Sequence, residues 1–530
     1  FVYKYVFPEQ EYKLKKGRSV IISNNTNPDR SDYAGKIQEL DQIKRTLLLR
    51  KGISKDEKKL PRTLSISEKV MEHARFENLN KNIYSFCENV IEKKSGFEAI
   101  KSFLNRDIPK IKGKKLGEKI INSENFTEEI PNIINNLEKS YLYLQGPPGS
   151  GKTYQAANAI IELLKNKKKV AVTANSHKVI HNLLGRIEKL ASNQNFIFKG
   201  LKMGNIENED TYFNGELIKT DKNEKHFINE LRENKTLLYA GTKYHLSQFY
   251  YRNKLDYLFV DEASQISVAD LVALGGIAKN IILVGDQMQL GQPVQGSHPG
   301  ESGKSVLDFL LEGKDTIAEN KGIFLNKTYR LHPSINDFTS KNFYENRLLI
   351  NDHNINRQIE YKKNSIITKE GIHTILMNHK NRAQTCVEEF VIIKKLMDQL
   401  IGCKFKDYDN SERKISINDI LIVSPFNAQV NFLKSRLHKN AQCGTIDKFQ
   451  GAEAPITIIS MTSSSVEDLP RNKKFFFNRN RLNVAISRAQ CSSILLLNPK
   501  LLETPPSDYD EFKLLNNFQK LIKYKIKQRI

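Results

Sequence analysis

The stretch Tyr141–Thr153, YLYLQGPPGSGKT, limits what this 530-residue chain can fold into more than any other. Tyr141–Gln145 reads as a buried strand, and behind it Ala156, Ala157, Ile160, Leu163 and Leu164 recur at helical spacing. Between them Gly146, Pro147, Pro148, Gly149, Ser150, Gly151, Lys152 and Thr153 fit the G-x-x-x-x-G-K-[ST] pattern. Strand, glycine loop and helix in that order present free backbone N–H groups at a helix N-terminus, where a polyphosphate is held. Glycines are needed there because the backbone turns sharply and must approach the phosphate closely. In this pattern Lys152 reaches the outer phosphates and the Thr153 hydroxyl takes the accompanying Mg²⁺. A chance lysine in a Gly-rich turn would not come framed by such a strand and such a helix.

Strands and helices go on alternating. Lys169–Ala174, Thr236–Thr242, Tyr257–Asp261 and Ile281–Asp286 read as strands, with helices predicted over Val179–Ala191 and Asp270–Lys279. That alternation means a parallel sheet covered on both faces. After a loop at Gly291–Gly303 a second series follows, with strands at Ile323–Leu325, Gly371–Met377, Asp419–Ser424, Pro455–Met461 and Ser492–Leu497. Its helices are expected at Ser334–Tyr344, Cys386–Leu400, Ala428–His438 and Arg481–Ala489, and it has no phosphate loop of its own. Upstream, β-type runs at Tyr3–Phe7, Ser19–Ser23 and Thr46–Arg50, separated by Gly17, Asn24–Asp32 and Gly52, predict a small β module. From Ile66 to Leu104 the pattern turns helical, with Val70, Ala74, Phe76, Ile83, Phe86, Val90 and Ile91 as packing positions. Lys110–Lys119 reads as a basic linker or solvated face, and Tyr509–Ile530 as a basic amphipathic terminal helix. The expected organisation is a β module at 1–60, a helical stalk at 61–116, α/β domains at 117–313 and 314–503, and a tail at 504–530.

Lys and Arg number 83 against 60 Asp and Glu, and the net charge of +23 points to a polyanionic partner. The five cysteines are scattered without a C-x-x-C pair, which excludes a disulfide framework or zinc module and fits a reducing compartment. No apolar run reaches membrane-spanning length, so a cytoplasmic or nucleoid-associated protein with no membrane partner is expected. The chain opens at Phe1 rather than Met, and a longer parent protein is expected.

Leu255–Ser264, LDYLFVDEAS, puts two carboxylates at the end of an apolar strand, where α/β sheets bind their ligands. Asp261 is placed to hold Mg²⁺, and Glu262 to orient or deprotonate an attacking water. Leu283–Leu290, LVGDQMQL, ends another strand with glutamines able to sense a γ-phosphate. In the second series Arg330 and Arg488 are candidates to supply positive charge across the interdomain cleft, because phosphoryl transfer depends on positioning and charge stabilisation.

In chain order, GPPGSGKT, VDEAS, VGDQMQL, TYRLHP, TIDKFQGAE and RLNVAISRA resemble the motif set of superfamily 1 helicases, over about Tyr141 to Pro499. The DEAS form and the RLNVAISRA ending resemble the branch holding the RNA-surveillance helicase and the nuclease-helicases of DNA replication. Gly291–Leu311 and the start YVFPEQEYKL resemble prokaryotic members often fused behind a RecB-like nuclease. The resemblance implies an α/β fold of two RecA-like P-loop NTPase domains in tandem, with a small β-barrel-like module and helical stalk. It also implies an ATP- and Mg²⁺-dependent helicase moving 5′ to 3′ on a single strand, DNA favoured over RNA.

Carried over position by position, Lys152 and Thr153 take phosphates and Mg²⁺, Asp261 and Glu262 take metal and water, and Gln289 senses the γ-phosphate. Arg330 and Arg488 become arginine fingers, Tyr329 stacks on adenine, and Gly451 and Glu453 contact ribose and phosphate. Ser176, His177, Thr242 and Thr445 match positions that hold a strand's sugar-phosphate backbone without reading its sequence. Two positions depart from the family pattern: Phe126–Leu137 lacks the adenine-reading Gln, and His177 stands where many relatives have Asn. The motifs leave two alternatives open, an ATP-switched binding or remodelling module and the motor of a nuclease machine whose nuclease lies upstream or in trans.

Overall fold

The computed structural model describes residues 2–526 apart from 8–13, 15, 16, 18, 23–32, 42–44, 53–59, 61–65, 69–75, 124, 293–297, 450, 470–472 and 504. Alternation within the apolar strands builds the centre of the molecule. In Tyr141–Gln145 the residues Tyr141 and Tyr143 enter one apolar layer, and Leu142 and Leu144 enter the other. Leu258 and Val260 against Tyr257 and Phe259, and Ile281 and Leu283 against Ile282 and Val284, repeat the division. A strand buried on both faces in this way belongs in a covered parallel sheet.

That sheet has eight strands, all paired in parallel. Across it run Gly322–Phe324, Tyr141–Gln145, Ala278–Gly285, Leu255–Val260, Val170–Thr173, Leu238–Ala240, Gly200–Met203 and Ile218–Asp221. Helices Phe126–Asn135, Lys152–Lys165 and His177–Asn193 cover one face. Glu98–Leu104, Val268–Leu274 and Val306–Leu311 lie on the other. A second sheet of five parallel strands has the order Gly371–Leu376, Ala489–Leu497, Ala454–Ser460, Ile420–Ser424, Gln442–Thr445. One apolar cluster joins Leu258 and Leu283 of the first sheet to Val423, Ile459 and Leu495 of the second, so the two α/β units share a core. The terminal helix Tyr509–Leu521 closes on the second sheet, where the Thr374 hydroxyl donates to the Leu521 carbonyl at 2.8 Å.

Several expectations are corrected. The Ile323–Leu325 run does not open the second sheet; Gly322–Phe324 pairs with Tyr143–Gln145 as the edge of the first. Ile66 does not begin a helix. Ile66–Glu68 is a strand paired with Ser19–Ile22, and the helix starts at Glu77. Lys279 and Ala489 begin or extend strands rather than ending helices. The Lys110–Lys119 stretch is docked, not free: Ile111 is buried and the Lys112 N–H donates to the Asn136 carbonyl at 2.8 Å. At the N-terminus the described residues form a five-stranded antiparallel sheet ending in Val2–Val6 on one side and Ile66–Glu68 on the other, around a small core of Val20, Ala34, Ile37, Leu47, Leu49 and Leu60. Ser23, Asn24–Asp32, Val70, Ala74, part of the Gly291–Gly303 loop and the last residues of the tail lie outside the described residues. Strands Gly200–Met203, Ile218–Asp221 and Gln442–Thr445 and helix Glu224–Glu233 were not foreseen. Among the described residues no helix is long and apolar enough to cross a membrane.

Phe259 is fully buried in the strand that leads to Asp261, and Phe259→Ala should cost about 3–5 kcal/mol. Ile197 is 84% exposed, and Ile197→Ala should stay within about 0.5 kcal/mol. Chemical denaturation compares the two; similar losses would contradict the layered core.

Candidate functional site

In the first sheet the site's groups follow the carboxyl ends of Tyr141–Gln145, Leu255–Val260 and Ala278–Gly285, whereas in the second Glu453 and Arg488 immediately precede the strands Ala454–Ser460 and Ala489–Leu497. The loop Gly146–Thr153 leaves Tyr141–Gln145 and enters the helix Lys152–Lys165. Gly149 and Gly151 have φ of +71° and +79°, backbone that residues with a Cβ adopt only under strain. A Cβ on Gly149 would stand 2.3 Å from the Arg330 Cβ, so the segment that follows the edge strand rests directly on the loop. Two hydrogen bonds fix it there: the Tyr329 N–H donates to the Gly149 carbonyl and the Thr328 hydroxyl to the Pro148 carbonyl, each at 2.8 Å.

The loop forms one wall of a cavity of about 650 Å³, whose lining also includes Asp261, Glu262, Gln289, Tyr329, Arg330, Gly451, Glu453, Arg488 and Ser176. The catalytic and nucleotide-binding positions expected from the sequence, Gly146 apart, thus meet in one place. His177, Thr242 and Thr445 do not line it. Ser176 caps the helix His177–Asn193 by accepting from the Val179 N–H at 3.3 Å, and Thr242 precedes the short helix Lys243–Leu246. Thr445 ends a strand of the second sheet. His177 is half-buried, with Nδ1 unpartnered among the described residues; burial, with the Lys202 charge, pushes it down to about 4, so its imidazole is neutral at physiological pH.

Asp261 is fully buried, and burial together with the neighbouring Glu262 raises its carboxyl to about 7 against the pull of Lys152. Glu262 adopts a left-handed backbone at φ +50°, pairs with Lys152 Nζ at 3.1 Å through Oε1, and leaves Oε2 without a partner among the described residues. Strain of this kind in a non-glycine residue persists only where surrounding structure holds it. Two adjacent buried carboxylates, one half unsatisfied, fit a divalent cation held by Asp261 with the Thr153 hydroxyl.

Opposite them, Arg330 Nε donates to Glu453 Oε2 at 2.5 Å, and Gln490 donates to the other Glu453 oxygen at 3.1 Å. Burial raises the Glu453 carboxyl, but the Arg330 charge and these hydrogen bonds carry it below the usual range. Arg488 is almost wholly buried; it donates to Gln289 Oε1 at 3.3 Å and to the Ala452 carbonyl at 3.1 Å, with Nε unpartnered among the described residues. Burial and then the Arg330 charge lower its pKa to about 9, which leaves it cationic at neutral pH.

Sequence reasoning missed three groups. Buried Arg357 donates to the carbonyls of Tyr329 at 3.1 Å and Arg330 at 2.6 Å and pairs with Asp407 at 2.8 Å, fixing the segment on the loop. Lys178, Asn182 and Arg186 line the cavity from one helix, and their i, i+4, i+8 spacing was a readable signal. Asp286, buried and raised to about 6, accepts from Gln289 Nε2 at 2.9 Å; no local pattern marks that bond.

Two sequence families match the chain, both described as AAA domain, over residues 132–301 and 303–500. The chain is similar to the DNA replication ATP-dependent helicase/nuclease dna2 of Schizosaccharomyces pombe, 25% identical over 67% of this chain and 26% of that protein. The putative helicase mov-10-B.1 of Danio rerio is 27% identical over 70% of this chain and 41% of its own length. The regulator of nonsense transcripts 1 homolog of Arabidopsis thaliana is 23% identical over 70% and 32%. The chain therefore spans less than half of each of these relatives. Against the solved complex of Arterivirus nonstructural protein 10 (helicase) with DNA, the TM-score is 0.37 at 13% identity, over 71% of this chain and 63% of the other.

The raised Asp261 carboxyl makes stability depend on pH. Its folded value of about 7 lies above the unfolded value of about 3.9, so wild type loses stability as pH rises between them and no further above. Asp261→Asn removes that loss. Its Tm advantage over wild type should widen from pH 5 to pH 7 and then level off; a gap that stays constant with pH would refute the buried, raised carboxyl.

Proposed function

Because the chain belongs to the superfamily 1 helicases, we propose that it is an ATP-dependent translocase moving 5′ to 3′ along single-stranded DNA and opening duplexes ahead of it. The observation that carries this reading is the single cavity in which the phosphate loop and two carboxylates face two arginines. In the proposed reaction the loop amides and Lys152 hold the triphosphate tail. Thr153 and Asp261 would hold Mg²⁺, which when bound neutralises phosphate charge. Glu262 orients or deprotonates the attacking water with its unpartnered Oε2, and Gln289 reads the γ-phosphate. Arg330 and Arg488 stabilise charge on the transferring group, a contribution worth about 10³–10⁵ in rate for one finger. Tyr329, 55% exposed, offers its ring to the base, while Gly451 and Glu453 contact ribose and phosphate.

The strand would lie over the carboxyl ends of both sheets, held through its backbone by Ser176, His177, Thr242 and Thr445. We read the two α/β units as the two motor domains, with the expected bounds of 117–313 and 314–503 shifted so that the edge strand Gly322–Phe324 falls in the first, closing on ATP and reopening after hydrolysis. The 5′ to 3′ polarity comes from the branch that the motifs resemble. Relatives named for DNA replication favour DNA, and the one named for nonsense transcripts keeps RNA as the alternative. A nuclease upstream or in trans is the partner class expected.

Lys152→Ala should reduce ATP hydrolysis by about 10²-fold or more, the scale of a lost transition-state donor, in assays with single-stranded DNA, single-stranded RNA and no polymer side by side. Undiminished turnover would refute the site. Strand displacement measured with the same samples separates unwinding from ATP-switched grip. Single-strand affinity should fall steeply with salt, with a log–log slope of about −0.7 for each phosphate neutralised.

A further inference from the structure

The turn that carries Gln289 leaves the first sheet, yet residues from beyond that sheet hold it. Asn480 Nδ2 donates to the carbonyls of Gln287 and Gln289, each at 2.7 Å. Asn483 Nδ2 donates to the Met288 carbonyl and to the Tyr344 hydroxyl, each at 2.8 Å. The Tyr344 hydroxyl in turn donates to Asp286 Oδ2 at 2.7 Å. Gln289 Nε2 donates to that same oxygen at 2.9 Å, and the Met288 N–H donates to Oδ1 at 3.1 Å. At the other end of the Gln289 amide, Oε1 accepts from Arg488. Tyr344, Asn483 and Asp286 are fully buried. Tyr344 follows the helix Pro333–Phe343 and Asn483 lies in the helix Arg479–Ile486, both packed with the second sheet.

The chain of donors has a direction. Asn483 can only donate through Nδ2, so Tyr344 accepts from it and spends its single proton on Asp286. The carboxylate then orients the Gln289 amide with nitrogen toward Asp286 and oxygen toward Arg488. Linked hydrogen bonds of this sort strengthen one another in a low-dielectric interior. A glutamine held at both ends presents one fixed face to the phosphate cavity.

We infer that Tyr344 and Asn483 are positioning residues that act through Asp286 to set the Gln289 side chain, so that its orientation depends on where the second α/β unit sits. The inference deepens the proposed ATPase reading and rests on it. Withdrawal of the helix Arg479–Ile486 would free the Gln287–Gln289 turn and the glutamine with it.

Steady-state ATP hydrolysis by the full chain tests this through a mutant cycle. Losing one buried hydrogen bond to a charged acceptor is worth about 1.5–3 kcal/mol, so Tyr344→Phe should lower kcat about tenfold or more while the KM for ATP changes less than about twofold. In a Gln289→Ala background the same substitution should change kcat by less than about twofold, because the group it acts through is gone. A role in folding alone would lower kcat equally in both backgrounds, and that result, or an unchanged kcat, overturns the inference. Asn483→Ala run through the same cycle carries the test if Tyr344→Phe does not fold. A wild-type chain without ATPase activity would remove the underlying reading, an outcome distinct from an active wild type insensitive to Tyr344→Phe.

Discussion

With no side chain at position 149, the segment Thr328–Arg330 rests on the phosphate loop and bonds to its carbonyls. This contact depends on the edge strand Gly322–Phe324, which pairs with the strand that carries the loop, and on the Leu325 N–H, which donates to the Gln145 carbonyl at 2.9 Å. Arg330 is therefore tethered to the first sheet by a short run of chain. Arg488 is different: it sits between the helix Arg479–Ile486 and the strand Ala489–Leu497 of the second sheet. Of the two arginines, only Arg488 has its position set wholly by how the two α/β units meet.

The shared apolar cluster gives that meeting its stiffness. Hydrophobic burial is non-directional and close-packed interiors transmit strain, so a core continuous from Leu258 to Leu495 couples the sheets without specifying one register. Register comes from directional groups. Arg479 makes a bidentate pair with Asp315 and reaches the Asn342 carbonyl, while Asn480 and Asn483 grip successive carbonyls of the Gln287–Gln289 turn. Fork-to-carboxylate geometry of this kind adds orientation as well as attraction.

What could be read from the sequence was what local physics encodes. Gly149 and Gly151 are required by their backbone angles, Lys152 by its place at a helix start, and Asp261 and Glu262 by ending an apolar strand. Strands buried on both faces, such as Leu255–Val260, declare themselves by continuous apolar residues. The Gly322–Phe324 strand was recognisable as a strand, but its partner lies about 180 residues back (Tyr143 to Gly322), and nothing in three apolar residues names that partner. The strand Gly200–Met203 was hidden because Lys202 interrupts it, although that lysine is buried with its amine on the Thr211 carbonyl. Arg357, Tyr344 and Asn480 are polar residues whose roles exist only through distant partners. Periodicity reports which face a residue takes, not what waits there.

The charges around the cavity are already matched in pairs, Lys152 with Glu262 and Arg330 with Glu453, and Arg488 lies between Gln289 and the Ala452 carbonyl. In a site of low effective dielectric, a triphosphate cannot add its negative charge to such a set without displacing partners. In the proposed ATPase reading it would compete with Glu262 for Lys152 and with Glu453 for Arg330. The first exchange would release the carboxylate placed beside the phosphate loop, and the second would loosen a contact between the Thr328–Arg330 segment and the second sheet. On that reading nucleotide entry would be coupled, through pair exchange alone, both to freeing Glu262 and to the fit between the two α/β units. Arg488, which has no carboxylate ion pair among the described residues to give up, would gain an anion there, and its burial would make that gain larger than any exposed arginine could obtain.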